Sequence, residues 1–312
     1  MSDLPNTGSM KSRSNVFRSR VISTVVLWAL IAFAVYFDRP IIFSAIIILV
    51  GSLGIFEFFG LLGLRRTPAF QSLRFSTLFL GFLYLSLIAC SLSGGCNGGI
   101  IYIDSGFIAL AVIVPTVLLL FHPIDGANTK DLFFGSVFGF IYVPVLISFL
   151  IRILYINYDV SAGGGRGEYY IIFLLVVTKF SDMGAYLIGT LIGKNKMIPH
   201  ISPGKTWEGF IFGCLTFAVG GGCLMFYLFK DEMPLLEWRV VVILSFCLAV
   251  IAALGDLAES ILKRSLDVKD SGNILPGIGG VLDLLDSVLF TAPVLFIYLT
   301  LLSFFFFFVI TR

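Results

Sequence analysis

The hydrophobic positions along the chain form long continuous runs, which are separated by short polar segments. A helix needs about 20 apolar residues to cross a lipid bilayer. By that measure the sequence predicts nine spans: residues 21–37, 41–63, 74–93, 106–121, 132–150, 169–188, 209–229, 237–254 and 287–310. The strands of a membrane β-barrel are short and alternate in polarity, whereas these runs are continuous. The pattern therefore predicts an all-α polytopic membrane protein with about nine transmembrane helices.

The composition indicates that the solvent of this protein is lipid. Hydrophobic residues make up 58% of the 312 residues and charged residues 13%, and the mean hydropathy is +1.02. A water-soluble domain carries about 45–50% apolar and about 25% charged residues. We predict that residues 21–312 form a single transmembrane domain. Residues 1–20, which are rich in Ser and Asn, are predicted to be a disordered N-terminal tail.

The basic residues predict which side of the membrane each loop faces. If the N-terminus is cytoplasmic, fourteen Lys and Arg fall inside and six outside, and Lys179 within a span accounts for the last of the 21. Cytoplasmic loops are enriched in Lys and Arg, so we predict a cytoplasmic N-terminus. An alternative is a cleaved signal peptide, because a basic stretch at 11–20 precedes the first apolar run. The second span follows almost at once, which favours an uncleaved first span.

The residue types that bind soft metals are scarce in this chain. The five cysteines show no C-x-x-C spacing, and only two histidines are present, His122 and His200. A metal site would therefore rest on carboxylates, which favour hard cations such as Mg²⁺ over zinc.

The first polar segment begins inside the sixth predicted span. Lys179 and Asp182 lie three residues apart on one helix face, and Tyr186, Gly189 and Gly193 share the face of Asp182. An ionised group at this depth costs at least a few kcal/mol unless it is paired or hydrated. The face is either part of a functional site or a Lys179–Asp182 ion pair beside a glycine packing surface. The two interpretations are compatible.

The same segment contains a candidate anion-binding helix start. Ser202-Pro203 is typical of an N-cap followed by proline at the first helical position. Such a terminus directs unpaired N–H groups toward an anion. Lys205 and Thr206 would lie in that first turn. The alternative is an ordinary capped helix with an interfacial lysine.

The second polar segment joins the last two predicted spans. Asp256, Glu259, Ser260 and Lys263 are spaced to form one stripe on a helix that continues the eighth span. A second stripe, at the start of the ninth span, consists of Asp283, Asp286 and Ser287. A Pro-Gly-x-Gly-Gly turn between them permits close backbone approach to a ligand. The stripes could hold a divalent metal and the nearby basic residues phosphate oxygens; the alternative is a solvated amphipathic loop.

Two further candidates carry weaker signals. Glu57 lies toward the cytoplasmic end of the second predicted span, where it either lines the same site or is a paired structural acid. Arg65-Arg66 is better explained as a topology anchor than as a ligand contact.

These motifs resemble a known family. The segment Ser260-x-x-Lys263-Arg264-x4-Lys269-Asp270-Ser271-Gly272, continuing to Pro276-Gly277-x-Gly279-Gly280-x-x-Asp283-x-x-Asp286, is similar to the C-terminal motif of CDP-diacylglycerol synthases (phosphatidate cytidylyltransferases). Residues 181–186 and 201–209 resemble the same family. The resemblance covers residues 179–287. Two positions depart from it, because the family usually has His at Ile278 and Arg at Leu284.

The resemblance implies a reaction at the membrane surface. A phosphatidate phosphate attacks the α-phosphorus of CTP, pyrophosphate leaves, and CDP-diacylglycerol stays in the bilayer. Two anions must meet, so the barrier is mainly electrostatic and positional. The expected cofactor is Mg²⁺, with a second cation left open, and the expected location is a bacterial inner membrane. Dimers are common in the family, and no nucleic acid is expected as a partner.

The resemblance also assigns roles to residues of the catalytic domain. The expected catalytic residues are Asp182, Asp256, Asp283 and Asp286, of which Asp256 and Asp283 are the expected metal ligands. The expected substrate-binding residues are Ser202, Lys205, Thr206, Ser260, Lys263, Arg264, Lys269, Asp270 and Ser271.

Two rival functions fit parts of the pattern. A transporter or channel would use intramembrane acids as an ion path, but its acids should spread through the midplane, whereas these cluster at one face. A CTP-dependent lipid kinase would transfer the γ-phosphoryl group instead of the cytidylyl group.

Overall fold

The computed structural model describes residues 28–29, 31–37, 39–62, 67–95, 97–124, 126–156, 166–266, 268, 271–272 and 279–310. Within these ranges, eight helical segments are long and apolar enough to cross a membrane, which confirms the all-α polytopic class. Of the first predicted span, residues 21–27 and 30 lie outside the described residues, and residues 28–29 and 31–37 are helical. The predicted tail at 1–20 also lies outside them.

The helices follow one another with short connections. They are α1 (Pro40–Leu61), α2 (Pro68–Ser93), α3 (Ile100–Leu120), α4 (Gly126–Phe140), α5 (Leu146–Leu154), α6 (Gly167–Ile192), α7 (Leu215–Phe229), α8 (Trp238–Ser265) and α9 (Val281–Ile310). A π-helical turn at Ile141–Val145 joins α4 and α5 into one span, and it contains Pro144, which lacks the N–H that a regular helix requires. A second π-helical segment, Gly209–Cys214, leads into α7.

Three helices extend beyond the apolar runs from which the spans were predicted. α6 continues to Ile192, α8 continues to Ser265, and α9 already begins at Val281. The hydropathy signal stops where polar residues begin, but backbone hydrogen bonding continues through them. The polar stripes therefore lie on rigid helices, as predicted for Asp256 through Lys263 and for Asp283 through Ser287.

The segment between α6 and α7 corrects one prediction. Ser202-Pro203 does not start a helix, because Ser202–Thr206 forms strand β2, which pairs antiparallel with β1 (Lys196–Ile198). The helix begins after Thr206, whose Oγ1 accepts a hydrogen bond from the backbone N–H of Gly209 at 3.2 Å. The N-cap is therefore Thr206 and not Ser202. Lys205 lies in a strand and not in a first helical turn.

Glu208 fixes the hairpin to the helix that follows it. Its carboxylate accepts hydrogen bonds from the backbone N–H groups of Lys194 and Asn195, each at 3.2 Å, and from the Asn195 side-chain amide at 2.6 Å. Its own backbone N–H and these neighbouring donors hold the pKa of Glu208 below its usual range. The carboxylate is consequently ionised at neutral pH, and this stabilising contribution is lost only as the pH falls through the lowered pKa.

Several elements meet at one end of the bundle, which we call the motif end: α1, α6 and α8 finish there, and α7 and α9 begin there. Glu57 of α1 contacts the backbone of α9, and Arg264 of α8 donates to the Ile201 carbonyl of the hairpin loop at 3.3 Å. At the opposite end, Arg152 and Asp104 form an ion pair at 2.6 Å. The polar residues of both predicted motif segments that the structure describes therefore converge on one end.

Candidate active site

A pocket of about 550 Å³ opens at the motif end between α6, the hairpin, the π-helical segment that precedes α7, and α8. It brings together predicted residues that are up to 74 positions apart in the chain, from Asp182 to Asp256. Five predicted site residues line it: Asp182, Ser202, Lys205, Thr206 and Asp256. The lining also includes residues that the sequence did not single out, among them Lys196, Thr190 and Phe210.

Glycines allow the elements around the pocket to approach closely. A Cβ at Gly213 would collide with the Gly184 carbonyl oxygen, so α6 and the π-helical segment are in backbone contact there. A Cβ at Gly209 would lie 2.8 Å from the Ala185 carbonyl oxygen and 3.0 Å from the Gly189 Cα. The predicted glycine packing face of α6 is thus present, and it coexists with the charged pocket beside it.

One ion pair lies in the pocket wall. The Lys205 ammonium group is 2.7 Å from Asp256 Oδ2, and it also donates to the Ala253 carbonyl oxygen at 3.4 Å. The two side chains remain 23% and 35% exposed. The pair therefore presents one positive and one negative group to the cavity, which is the combination that a metal-bound triphosphate requires.

Lys179 connects α6 to α9. Its ammonium group donates to the Leu284 carbonyl oxygen at 3.1 Å and lies 3.6 Å from Asp182 Oδ2. The predicted Lys179–Asp182 pair is therefore present. Leu284 is the position at which the family usually has arginine, so a lysine of another helix places a positive charge beside it.

A second charged centre lies where α8 meets the start of α9. The Lys263 ammonium group is 2.8 Å from Glu259 Oε2 and 2.5 Å from Asp283 Oδ1. Asp283 Oδ2 accepts hydrogen bonds from the Gly280 N–H at 2.6 Å and the Ser271 N–H at 3.4 Å. Asp283 thus has a lysine partner in addition to two backbone donors.

Asp286 lies between the two centres. Its side chain is almost fully buried and interacts electrostatically with Lys179, Asp256 and Asp182. α8 passes directly beside it, because a Cβ at Gly255 would lie 2.6 Å from the Asp286 carbonyl oxygen. The close crossing at Gly255 therefore sets the distance between the two carboxylate stripes.

The remaining predicted residues are placed as follows. Arg264 contacts the hairpin backbone, and Ser260 is half-buried on α8 without lining the pocket. Lys269, Asp270 and Ile278 lie outside the described residues. Glu259 belongs to a predicted polar stripe, but no role was predicted for it. Its spacing of four residues from Lys263 is the signal that indicates their ion pair.

The acidic side chains that the structure describes do not by themselves form a complete metal site. Within the described ranges, no group of three or more His, Cys, Asp or Glu side chains is arranged to hold a metal ion. The Glu259 Oε1 atom is buried, and no hydrogen-bond partner for it is present among the described residues. Mg²⁺ usually keeps several waters and binds through one or two carboxylates together with substrate phosphates. The donor chemistry of Asp256 and Asp182 in the pocket fits that mode of binding.

Comparison with known proteins agrees with the resemblance in the motifs. The phosphatidate cytidylyltransferase of Bacillus subtilis (strain 168) is 44% identical over 137 residues, 44% of this chain and 49% of that protein. That of Mycobacterium leprae (strain TN) is 40% identical over 168 residues, 54% of this chain and 50% of that protein. The chain thus spans about half the length of these two relatives.

Two further matches extend over most of the chain. The phosphatidate cytidylyltransferase of Haemophilus influenzae (strain ATCC 51907 / DSM 11121 / KW20 / Rd) is 31% identical over 312 residues, 95% of this chain and 100% of that protein. The family model described as "Cytidylyltransferase family" matches residues 18–302, which include Asp182, Asp256 and Asp283. This chain therefore belongs to the cytidylyltransferase family.

Proposed function

We propose that this protein is a membrane-embedded phosphatidate cytidylyltransferase, which converts CTP and phosphatidate to CDP-diacylglycerol and pyrophosphate. The observation that carries the proposal is the pocket at the ends of the membrane helices, where Lys205, Asp256 and Asp182 meet. The family membership and the names of the relatives support it. The family match gives no support to the rival kinase or transporter.

The proposed reaction exchanges one P–O bond for another. A phosphatidate phosphate oxygen forms a bond to the α-phosphorus of CTP, the bond between that phosphorus and the bridging α–β oxygen breaks, and pyrophosphate leaves with the electron pair. The phosphatidate oxygen is already ionised near neutral pH, so no strong base is required. The protein has to hold two anions together and stabilise the charge that develops on the leaving group.

The residues of the pocket suit this task. The Lys205 ammonium lies in the cavity, where it can bind a phosphate group, and Ser202 and Lys196 line the same cavity. We assign Asp256, with Asp182 beside it, to metal binding; Asp283 stays a predicted ligand whose carboxylate is shared with Lys263. Bound Mg²⁺ would neutralise charge on the triphosphate and the leaving pyrophosphate. Thr206 has a structural role, because its buried hydroxyl accepts the Gly209 N–H and caps the helical segment that leads into α7.

Labelled CTP tests the proposed reaction. We expect radioactivity from α-³²P-CTP to enter the lipid fraction in the presence of phosphatidate, and radioactivity from γ-³²P-CTP to appear in pyrophosphate. A lipid that carries only the γ-label would establish the rival kinase instead. Incorporation of neither label into lipid would refute both transferase functions.

We also propose that the motif end faces the cytoplasm, because the basic residues predict it, and that the membrane is a bacterial inner membrane, because the matched relatives are bacterial proteins. His200 at the motif end and Asp231 at the opposite end are both exposed. We expect a membrane-impermeant maleimide to label Asp231→Cys on intact spheroplasts and His200→Cys only after permeabilisation, with the unsubstituted protein as the blank. Labelling of both positions from the same side would refute this orientation. A homodimer stays a family-based expectation, which cross-linking in the membrane can test.

A further inference from the structure

Glu57 of α1 is a buried carboxylate that the proposed chemistry does not use. Its residue is 4% exposed, within a helix whose sequence is otherwise almost entirely apolar. Burial of an ionised group in such a place is unfavourable unless the group is hydrogen-bonded. Glu57 Oε2 accepts a hydrogen bond at 2.9 Å from the backbone N–H of Leu282, which lies 225 residues further along the chain.

This hydrogen bond caps α9 from another helix. α9 begins at Val281, so the Leu282 N–H is one of the first four donors that have no partner within the helix. A carboxylate is favoured at that position by the positive end of the helix dipole. Glu57 therefore supplies to α9 the acceptor that a local N-cap residue would normally provide.

The same carboxylate lies close to two described glycines, Gly272 and Gly280, which flank positions 273–278 in the sequence. A Cβ at Gly272 would lie 2.5 Å from Glu57 Oε1, and a Cβ at Gly280 would lie 2.5 Å from Glu57 Oε2. A Cβ at Gly280 would also collide with Ser271 Oγ. Larger residues at these two positions would displace the carboxylate, so the glycines and Glu57 fit one another.

The backbone beside these two glycines also binds the Asp283 carboxylate. The N–H groups of Gly280 and Ser271 both donate to Asp283 Oδ2. Gly279 has a φ of 123°, a conformation that favours glycine, and a Cβ there would lie 2.6 Å from Asp283 Oδ2. A continuous set of contacts thus runs from Glu57, through the backbone of residues 271–272 and 280, to the Asp283 carboxylate.

From this arrangement we infer that Glu57 is a positioning residue: it fixes the start of α9 together with the backbone at residues 271–272 and 280, and thereby the Asp283 carboxylate. The inference rests on the proposed cytidylyl transfer, in which Asp283 has a catalytic role. A small displacement of a reacting or charge-stabilising group lowers the rate of the chemical step far more than it weakens substrate binding, because the geometry of the group matters most in the transition state. Loss of Glu57 is therefore expected to lower kcat more than it changes KM.

Three full-length variants in detergent micelles test the inference. Glu57→Ala removes the acceptor, Glu57→Gln keeps an oxygen that can accept the Leu282 N–H, and Glu168→Ala removes another buried glutamate at the opposite end of the bundle. We expect kcat to fall about 100-fold in Glu57→Ala while KM for CTP changes by no more than about threefold. We expect Glu57→Gln to recover kcat to within about tenfold of the unsubstituted protein, and Glu168→Ala to keep it within about threefold.

Hydrogen exchange supplies a readout that does not depend on turnover. We expect the amides of residues 280–284 to exchange faster in Glu57→Ala, and to a smaller extent in Glu57→Gln, with no change in Glu168→Ala. If Glu57→Ala does not fold, Glu57→Gln and its exchange rates decide the question.

Several results would overturn the positioning role. These are a kcat near that of the unsubstituted protein in both Glu57 variants, a raised KM with unchanged kcat, or an equal loss of kcat in Glu168→Ala. Unchanged exchange at residues 280–284 would overturn it as well. If the unsubstituted protein transfers no α-label, the proposed function fails, and the exchange rates still judge the structural role of Glu57 separately.

Discussion

Asp283→Asn is expected to abolish most cytidylyl transfer while the protein still folds, with turnover lower by about 100-fold or more. Asparagine keeps the shape of the side chain but removes its charge. The amide oxygen can still accept from the Gly280 N–H, so the start of α9 keeps one of its contacts. The substitution therefore removes the charge of residue 283 while it preserves the local structure at the start of α9.

The ion pair with Lys263 requires a control, because removing one partner of a buried pair can cost about 3–5 kcal/mol. Lys263 keeps Glu259 as a partner at 2.8 Å after Asp283 is changed, which limits that cost. Glu259→Gln is the matched variant, since it removes the other carboxylate of the same lysine and leaves Asp283 charged. We expect both variants to lose similar thermal stability, and Glu259→Gln to lose much less turnover.

Melting temperature and α-label transfer, measured on the same preparation, distinguish the two roles of Asp283. If Asp283 serves only as the partner of Lys263, Asp283→Asn melts at a lower temperature and the surviving protein keeps near-normal turnover. A stable and fully active Asp283→Asn would refute the catalytic assignment outright.

Gly255→Ala is expected to damage both stability and turnover through the crossing of α8 and α9. The added Cβ would lie 2.6 Å from the Asp286 carbonyl oxygen and 3.2 Å from the Ser287 Cα. Both are backbone atoms, so the contact is relieved only if the helices separate. Overpacking of this kind costs about 1–3 kcal/mol, and a misplacement near 1 Å can lower turnover about 100-fold. Separation of the two helices in this variant would move Asp256, the residue next to Gly255 on α8, away from Asp286 on α9.

Gly220→Ala on α7 is the matched control, because nothing lies within 4 Å of its added Cβ. Alanine is a better helix former than glycine by about 1 kcal/mol, so we expect this variant to be at least as stable as the unsubstituted protein and fully active. Thermal melting in detergent and α-label transfer are the measurements. A Gly255→Ala protein with unchanged melting temperature and turnover would show that the crossing does not set the site geometry.

The sequence could predict most of the helical architecture because membrane insertion depends on local hydropathy. A run of about 20 apolar residues has few alternatives in lipid, where each backbone polar group must be satisfied within its own helix. The same logic failed at the helix ends, where α8 continues to Ser265 through charged residues. It failed again at Ser202-Pro203, because a cap signature of two residues does not reveal a competing strand pairing with Lys196–Ile198.

The candidate site also has features that the sequence predicted and features that it could not predict. The spacing of Asp256 through Lys263, and of Asp283 through Ser287, was sufficient to place each stripe on one helix face, because the helical period is local. The pairing of the charges was not predictable from spacing alone. Lys205 contacts Asp256 across 51 residues of chain, and Glu57 contacts Leu282 across 225, so only the packing of the helices decides which groups meet.

The sequence by itself therefore determined the membrane class, the helices and the identity of the charged segments, each of which follows from composition or period within a short window. The tertiary structure decided that Lys205 and Asp256 share a pocket, that Lys263 joins Glu259 to Asp283, and that Glu57 caps α9. These contacts depend on backbone distances set by glycines such as Gly213 and Gly255 at helix crossings. The closeness of two helices is a property of both surfaces together, and neither segment encodes it alone.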